Sequence, residues 1–164
     1  MFNNFSRTVR MKQNKRIFKY SALVSDAGDS SQQNVYADLP AGANAAGFMG
    51  FLNDQHFIEP GGLYFVPQGT PPETVTGTVP STYSLAGRNA TIVTAGDHFA
   101  IAAAAGINEG DLLVIADSYG RLNSIVGAGI QAGTTANVVA KALTPSAEAD
   151  DIIRIKVIDM PVKQ

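Results

Sequence analysis

Hydrophobic residues along this chain recur in short runs and in alternation with polar ones, as they do in β-strands. In DIIRIKVID (151–159), Ile153, Ile155 and Val157 alternate with Arg154 and Lys156. A period of two puts the apolar side chains on one face of a sheet and the charged ones on the other. No window long enough for a helix has the apolar spacing of an amphipathic helix. The pattern therefore predicts an all-β fold.

The second half of the chain, residues 89–164, predicts a regular series of strands. They are ATIVT (90–94), HFAIAA (98–103), GDLLVIAD (110–117), RLNSIV (121–126), ANVVAKAL (136–143) and DIIRIKVID (151–159). A turn at AGD (95–97) is predicted between the first two, and the turn at SYG (118–120) makes the third and fourth antiparallel. Short strands separated by turn signals favour a small β-barrel or β-sandwich.

Residues 21–88 are richer in Gly, Pro, Asn, Ser and Thr and predict a loop-rich part of the same body. Two strands are predicted there, at 63–66 and 74–79, bounded by prolines that cannot donate to a ladder. AGANAAGFMGF (41–51) is a glycine- and alanine-rich loop that can end in a helical turn.

Charge divides the chain at residue 20. Residues 1–20 hold six of the twelve basic residues and no acid, whereas residues 21–164 hold the other six and all fourteen acids. A basic N-terminal arm, extended or disordered when free, is thus expected on an acidic β body (21–164). Its candidate contact residues are the aromatic and basic side chains Phe2, Phe5, Arg7, Arg10, Lys12, Lys15, Arg16, Phe18 and Tyr20.

Several partners suit such an arm. Cations with interleaved rings can dock on an acidic protein surface, which is the favoured interpretation, or contact the phosphates of a nucleic acid. A membrane is not expected to be a partner, because the longest apolar stretch (99–105) is far shorter than the roughly 18 residues of a spanning helix.

The composition offers little for catalysis. The chain has no Cys, which excludes disulfides, thiolate nucleophiles and Cys-ligated zinc, and only two His, His56 and His98. Asp97 and His98 are adjacent, and neighbouring strand residues point to opposite faces, so a dyad is not expected. Neither a catalytic residue nor a metal site nor a cofactor is predicted.

Two further clusters are read as structural. Glu148, Asp150 and Asp151 precede the last strand and predict a charged loop, although paired carboxylates can also act as acid and base. GAGIQAG (127–133) has glycines at a spacing that does not match a dinucleotide-binding loop, and these glycines predict a turn between strands.

The segments GINEGDLLVIADSYGRLNSI (106–125) and ANVVAKALTPSAEADDIIRIKVI (136–158) resemble the small capsid decoration, or cement, proteins of tailed bacteriophages. Gly110 and Asp111 open a strand, Gly120 makes the turn, and 138–143 and 152–157 form the last two strands. The resemblance covers about residues 90–158 and implies a β-barrel body without catalytic residues. It also implies homotrimers on the capsid surface.

The expected function is therefore that of a non-enzymatic virion protein made in the host cytoplasm. It would bind the major capsid protein through the arm and stabilise the shell by bridging neighbouring subunits. The alternatives are a head-fibre base or tail adaptor, a nucleic-acid-binding module with a cationic tail, and an enzyme that uses Asp97 or His98.

Overall fold

The computed structural model of the chain describes residues 4–11, 17–25, 36–53 and 89–164. These ranges contain nine strands and no helix, which confirms the all-β prediction. The strands are β1 (Asn4–Met11), β2 (Ala22–Ser25), β3 (Tyr36–Asp38), β4 (Phe48–Leu52), β5 (Asn89–Ile101), β6 (Leu112–Ile115), β7 (Leu122–Ser124), β8 (Thr135–Ala142) and β9 (Ile152–Lys163).

Five of these strands close into a barrel, as predicted. Their order is β1-β3-β2-β4-β5, and β1 pairs with β5 to complete the ring. The β1–β3 pair is parallel and the other pairs are antiparallel. The sheet continues from β5 through β9, β8, β6 and β7, and this extension contains most of the second half of the chain.

Strand β5 belongs to both parts, and the predicted turn at 95–97 within it is wrong. β5 changes partners along its length: β4 pairs with Ile92 and Val93, β1 pairs with β5 from Asn89 to Gly96, and β9 pairs with it from Gly96 to Ile101. Each half of β5 thus has its own ladder partner, which keeps it extended, and Gly96 stands at the branch with φ at 86°.

Two main apolar cores lie on opposite faces of this sheet. The first fills the barrel and consists of Val9, Met11, Ile17, Leu23, Ala37, Met49, Leu52, Ala90 and Ile92. The second packs the outside of β2, β4 and β5 against the extension, with Phe51, Leu113, Ile115, Leu122 and Ile155 among its large members. A smaller cluster around Val114 and Val138 lies under the turn at 125–130.

The segment 41–51 is a loop followed by a strand, so the helical turn considered for it does not form. Its last residues belong to β4, and its loop is fastened to the extension by Asn44, whose φ is 56°. The backbone N–H of Asn137 donates to Asn44 Oδ1 (2.7 Å), and Asn137 Nδ2 donates to the Asn44 carbonyl (2.7 Å). Asn44 Nδ2 donates in turn to the Thr135 carbonyl (2.9 Å).

The remaining strand predictions divide by position. The antiparallel pair β6–β7 and the strands β8 and β9 confirm the predictions for residues 110–159, and β9 continues to Lys163. The strands predicted at 63–66 and 74–79 lie outside the described residues. No helix suited to crossing a membrane occurs in the described part of the chain.

Residues 4–11 are extended, as expected for the arm, but they form a wall of the barrel. Val9 and Met11 are buried in its core, and the backbone of β1 pairs with β5 over seven residues from Asn4 to Arg10. Ile17 is buried in the same core. The burial of Val9 and Met11, two residues apart on one face of the strand, and the hydrogen-bonded ladder with β5 hold this segment in the barrel. Within the described residues, position 20 therefore does not separate an arm from a body.

Candidate functional site

Strand β1 exposes three of the nine residues predicted to contact a partner. Phe5 is 69% exposed, and Arg7 and Arg10 are exposed as well. Phe5 and Arg7 share the strand face of the buried Val9 and Met11, because residues two apart point the same way. Their exposure places them beyond the part of the barrel that the core fills. Arg10 projects from the opposite face.

These exposed side chains stand on a fixed backbone. The ladder with β5 holds residues 4–10, and a register irregularity occurs between Phe5 and Ser6. Asn4 Nδ2 donates to the Asp97 carbonyl (3.2 Å), and Thr94 Oγ1 donates to the Phe5 carbonyl (3.3 Å). The start of β1 is therefore anchored to β5 on both sides of Gly96, and Phe5 is presented from a strand rather than from a free tail.

The structure places Phe18 and Tyr20 differently, since both are half-buried against the body. The Tyr20 ring lies 5.5 Å from the His98 ring and 5.5 Å from the Phe99 ring, centroid to centroid. Its backbone N–H donates to the Leu52 carbonyl (2.8 Å) at a φ of 75°, which is rare for a residue with a side chain. Tyr20 thus has a packing role at the end of the barrel. The predicted contact residues Phe2, Lys12, Lys15 and Arg16 lie outside the described residues.

His98 is a buried residue with a neutral ring. It is 4% exposed, and its Nε2 has no hydrogen-bond partner. Its pKa is lowered from 6.5 to about 4, mainly by burial and also by the charge of Lys19, while a hydrogen bond with the Leu52 backbone acts in the opposite direction. In the β5–β9 ladder His98 lies opposite Ile155, whereas Asp97 lies opposite Lys156 on the other face. The structure therefore does not bring Asp97 and His98 together as a dyad; His56 lies outside the described residues.

The acidic residues before β9 stabilise loops. Arg121 joins Asp117 (Nε to Oδ2, 2.8 Å) and Asp150 (Nη1 to Oδ1, 3.0 Å). Burial opposes the charge of Arg121, but the hydrogen bonds and charges of the two carboxylates outweigh it, so its pKa is raised. Asp151 Oδ2 accepts the backbone N–H groups of Ala147 (2.7 Å) and Glu148 (3.0 Å). This is the arrangement of a charged structural loop, and no group of three metal-ligating side chains occurs in the described ranges.

A group of cations that was not predicted as a site lies on the outward face of the extension. Arg154 and Lys156 were assigned to a solvated face of the last strand, and the register adds Lys141 of β8 directly opposite Lys156. The period-two pattern of β9 was a signal for the first two. Nothing in the local sequence indicates that Lys141 lies beside them, because its position depends on how β8 and β9 align.

Neither a protein-family model nor a curated protein sequence matches this chain. A hypothesis of its function thus depends on the exposed residues of the barrel and its extension, together with the resemblance seen in residues 90–158.

Proposed function

We propose that this protein is a non-enzymatic structural protein of a tailed-bacteriophage virion, a capsid decoration protein that binds the outer surface of the major capsid shell. The observation that carries the proposal is the surface of β1, where the exposed ring of Phe5 and the exposed Arg7 project from the same face of a barrel strand, with Arg10 exposed on its other face. The resemblance of residues 90–158 to cement proteins and the closed β-barrel support it.

The β1 surface, defined as Phe5 and Arg7 on one face of the strand, suits binding to a protein. Burial of a phenylalanine side chain against a partner contributes about 1.5–3 kcal/mol. Aromatic residues and arginine are the types that most often dominate binding energy. Because the backbone of β1 is already ordered by its ladder with β5, binding does not have to order it.

In this proposal the protein acts by binding alone. Made in the host cytoplasm, it attaches to the assembled shell, where carboxylates of the capsid surface are the counterparts of Arg7. Several copies, as homotrimers, bridge neighbouring capsid subunits, and the bridged shell resists internal pressure.

Substitutions on β1 test the proposal better than truncation, because deletion of residues 1–20 removes a barrel strand and its buried Val9 and Met11. Phe5→Ala is expected to weaken binding to purified expanded capsids by about 10-fold or more, consistent with the energy of a buried ring. The matched control is Val126→Ala, which truncates an apolar side chain that is 86% exposed on the turn after β7. Equal affinity of wild type and Phe5→Ala, or no binding of wild type to capsids, would refute the proposal.

Copy number in the particle separates this role from its nearest alternative. A decoration protein occurs in many copies over the shell, whereas a head-fibre base or tail adaptor occurs at a vertex or at the tail. Quantitative mass spectrometry of purified virions measures the ratio of this chain to the major capsid protein. A ratio that corresponds to a single vertex would favour the alternative.

A further inference from the structure

The outward face of β9 is a mixed basic and apolar surface. Ile153, Ile155 and Val157 point into the core, so the residues between them point outward. This row begins with Ile152, which is 52% exposed, and continues through Arg154 and Lys156; beyond Ile158, which packs against the cluster around Val114 and Val138, it reaches Met160, which is 45% exposed. Lys141 on β8 extends it sideways. We refer to Lys141, Ile152, Arg154, Lys156 and Met160 as the β9 face.

Two lysines at the centre of this face oppose each other. Lys141 and Lys156 are directly paired in the β8–β9 ladder, and like charges at such positions destabilise a sheet. Among the described residues neither lysine has a carboxylate within ion-pair distance; Asp97, which lies opposite Lys156 on β5, forms no ion pair with it. Asp97 offsets part of this repulsion at Lys156, whereas the ladder partners of Lys141 are Lys156 and Leu112, so no carboxylate lies directly opposite Lys141.

The concentration of cations here runs against the charge of the chain. Residues 21–164 contain only six basic residues, namely Arg88, Arg121, Lys141, Arg154, Lys156 and Lys163. Three of the six lie on the β9 face, in a chain whose net charge is −2.

We propose that the β9 face is a second docking surface, which binds an acidic protein surface whose carboxylates lie against Lys141 and Lys156. The proposal rests on the proposed function, in which that surface belongs to the capsid. The apolar side chains at both ends of the row favour a protein over a nucleic acid, since a phosphate backbone offers no counterpart for Ile152 and Met160.

Charge reversal tests this surface without loss of the fold. Lys156→Glu reverses the charge of an exposed side chain and removes nothing from the core, so it is expected to weaken binding while the protein still folds. The matched control is Lys163→Glu, which makes the same change on the same strand but at an odd-numbered position, on the opposite face from Lys156. The full-length variants are titrated with expanded capsids, with poly-L-glutamate and with random duplex DNA at one salt concentration.

The expected result is at least a 10-fold loss of affinity for both capsids and poly-L-glutamate in Lys156→Glu, with Lys163→Glu close to wild type. An equal loss in both variants would show that net charge, rather than the β9 face, is responsible. Tighter binding of duplex DNA than of poly-L-glutamate, with dependence on Lys156, would overturn the choice of partner.

The two proposals fail separately in these titrations. If wild type binds poly-L-glutamate through Lys156 but does not bind capsids, the decoration function is wrong and the acidic partner lies elsewhere. If capsid binding depends on Phe5 and is unchanged in Lys156→Glu, the β9 face is not a docking surface and the decoration function stands.

Discussion

Gly120 offers a sharp test of how the extension packs on the barrel. It lies in the turn between β6 and β7 with φ at 75°, and its carbonyl accepts the backbone N–H of Ala22 on β2 (2.8 Å). A Cβ atom at this position would lie 2.4 Å from the Ala22 carbonyl oxygen and 2.8 Å from the Ala22 nitrogen. Both atoms are backbone, so Gly120→Ala must displace the turn from β2.

The cost of Gly120→Ala has three parts. A left-handed conformation costs an alanine about 1 kcal/mol relative to glycine. Displacement of the turn weakens the hydrogen bond from Ala22, which contributes about 1 kcal/mol. It also loosens the core packing around Leu122, which lowers the free energy of unfolding by a further ~1–2 kcal/mol, less than the loss of a whole core side chain. We therefore expect Gly120→Ala to lower the free energy of unfolding by about 3–4 kcal/mol, the sum of these contributions.

Urea unfolding at neutral pH measures this difference, with Gly106→Ala as the matched control. Gly106 has φ at 91°, and a Cβ there would meet no atom within 4 Å, so that variant has only the conformational cost of about 1 kcal/mol. The two variants should thus differ by about 2 kcal/mol or more, the part that comes from contact with β2. Equal destabilisation of both would refute the close approach of this turn to β2.

Two further predictions concern the polar side chains of His98, which is buried, and Asn44, which is half-buried. Because the pKa of His98 is about 4 in the folded protein and 6.5 as a model value, the unfolded chain binds more protons between these pH values. The contribution of the neutral ring to the free energy of unfolding is therefore fully present above about pH 6.5 and falls by up to about 3 kcal/mol as the pH drops towards 4. The variant His98→Leu should lack this pH-dependent loss when both proteins are unfolded in urea across this range. The same pH dependence in both would contradict the prediction. Asn44→Gly allows the same backbone conformation but removes the side-chain hydrogen bonds to Asn137 and Thr135, so the free energy of unfolding should fall by about 1–3 kcal/mol. An unchanged urea midpoint would contradict a stabilising role for these hydrogen bonds.

The parts of the fold that the sequence predicted are those with local signals. The pair β6–β7 follows from two apolar runs joined by a turn that needs Gly120, and β9 follows from its alternation. Such elements are encoded within about ten neighbouring residues, so no knowledge of distant partners was needed. The prediction for β9 ended at residue 159 because Met160, Pro161 and Val162 break the alternation, and pairing with β8 extends the strand regardless.

The parts that were not predicted depend on distant partners. β1 has only Val9 and Met11 as buried residues, and its charges dominated the interpretation of residues 1–20. Its place in the barrel requires the edge of β5, about 85 residues away along the chain. The opposition of Lys141 and Lys156 is likewise a property of register, since each lysine alone resembles an ordinary solvated residue.

The branch of the sheet at Gly96 connects the two proposed surfaces. β1 and β9 both pair with β5 at Gly96, so the position of Phe5 relative to Lys156 is set by two ladders on one strand. A partner that engages one surface therefore meets the other at a fixed separation, and the second contact becomes intramolecular. Loss of either surface should then weaken binding to an assembled lattice more than binding to an isolated subunit that offers a single contact. A flexible arm would not produce this difference, because its contacts would carry no fixed spacing.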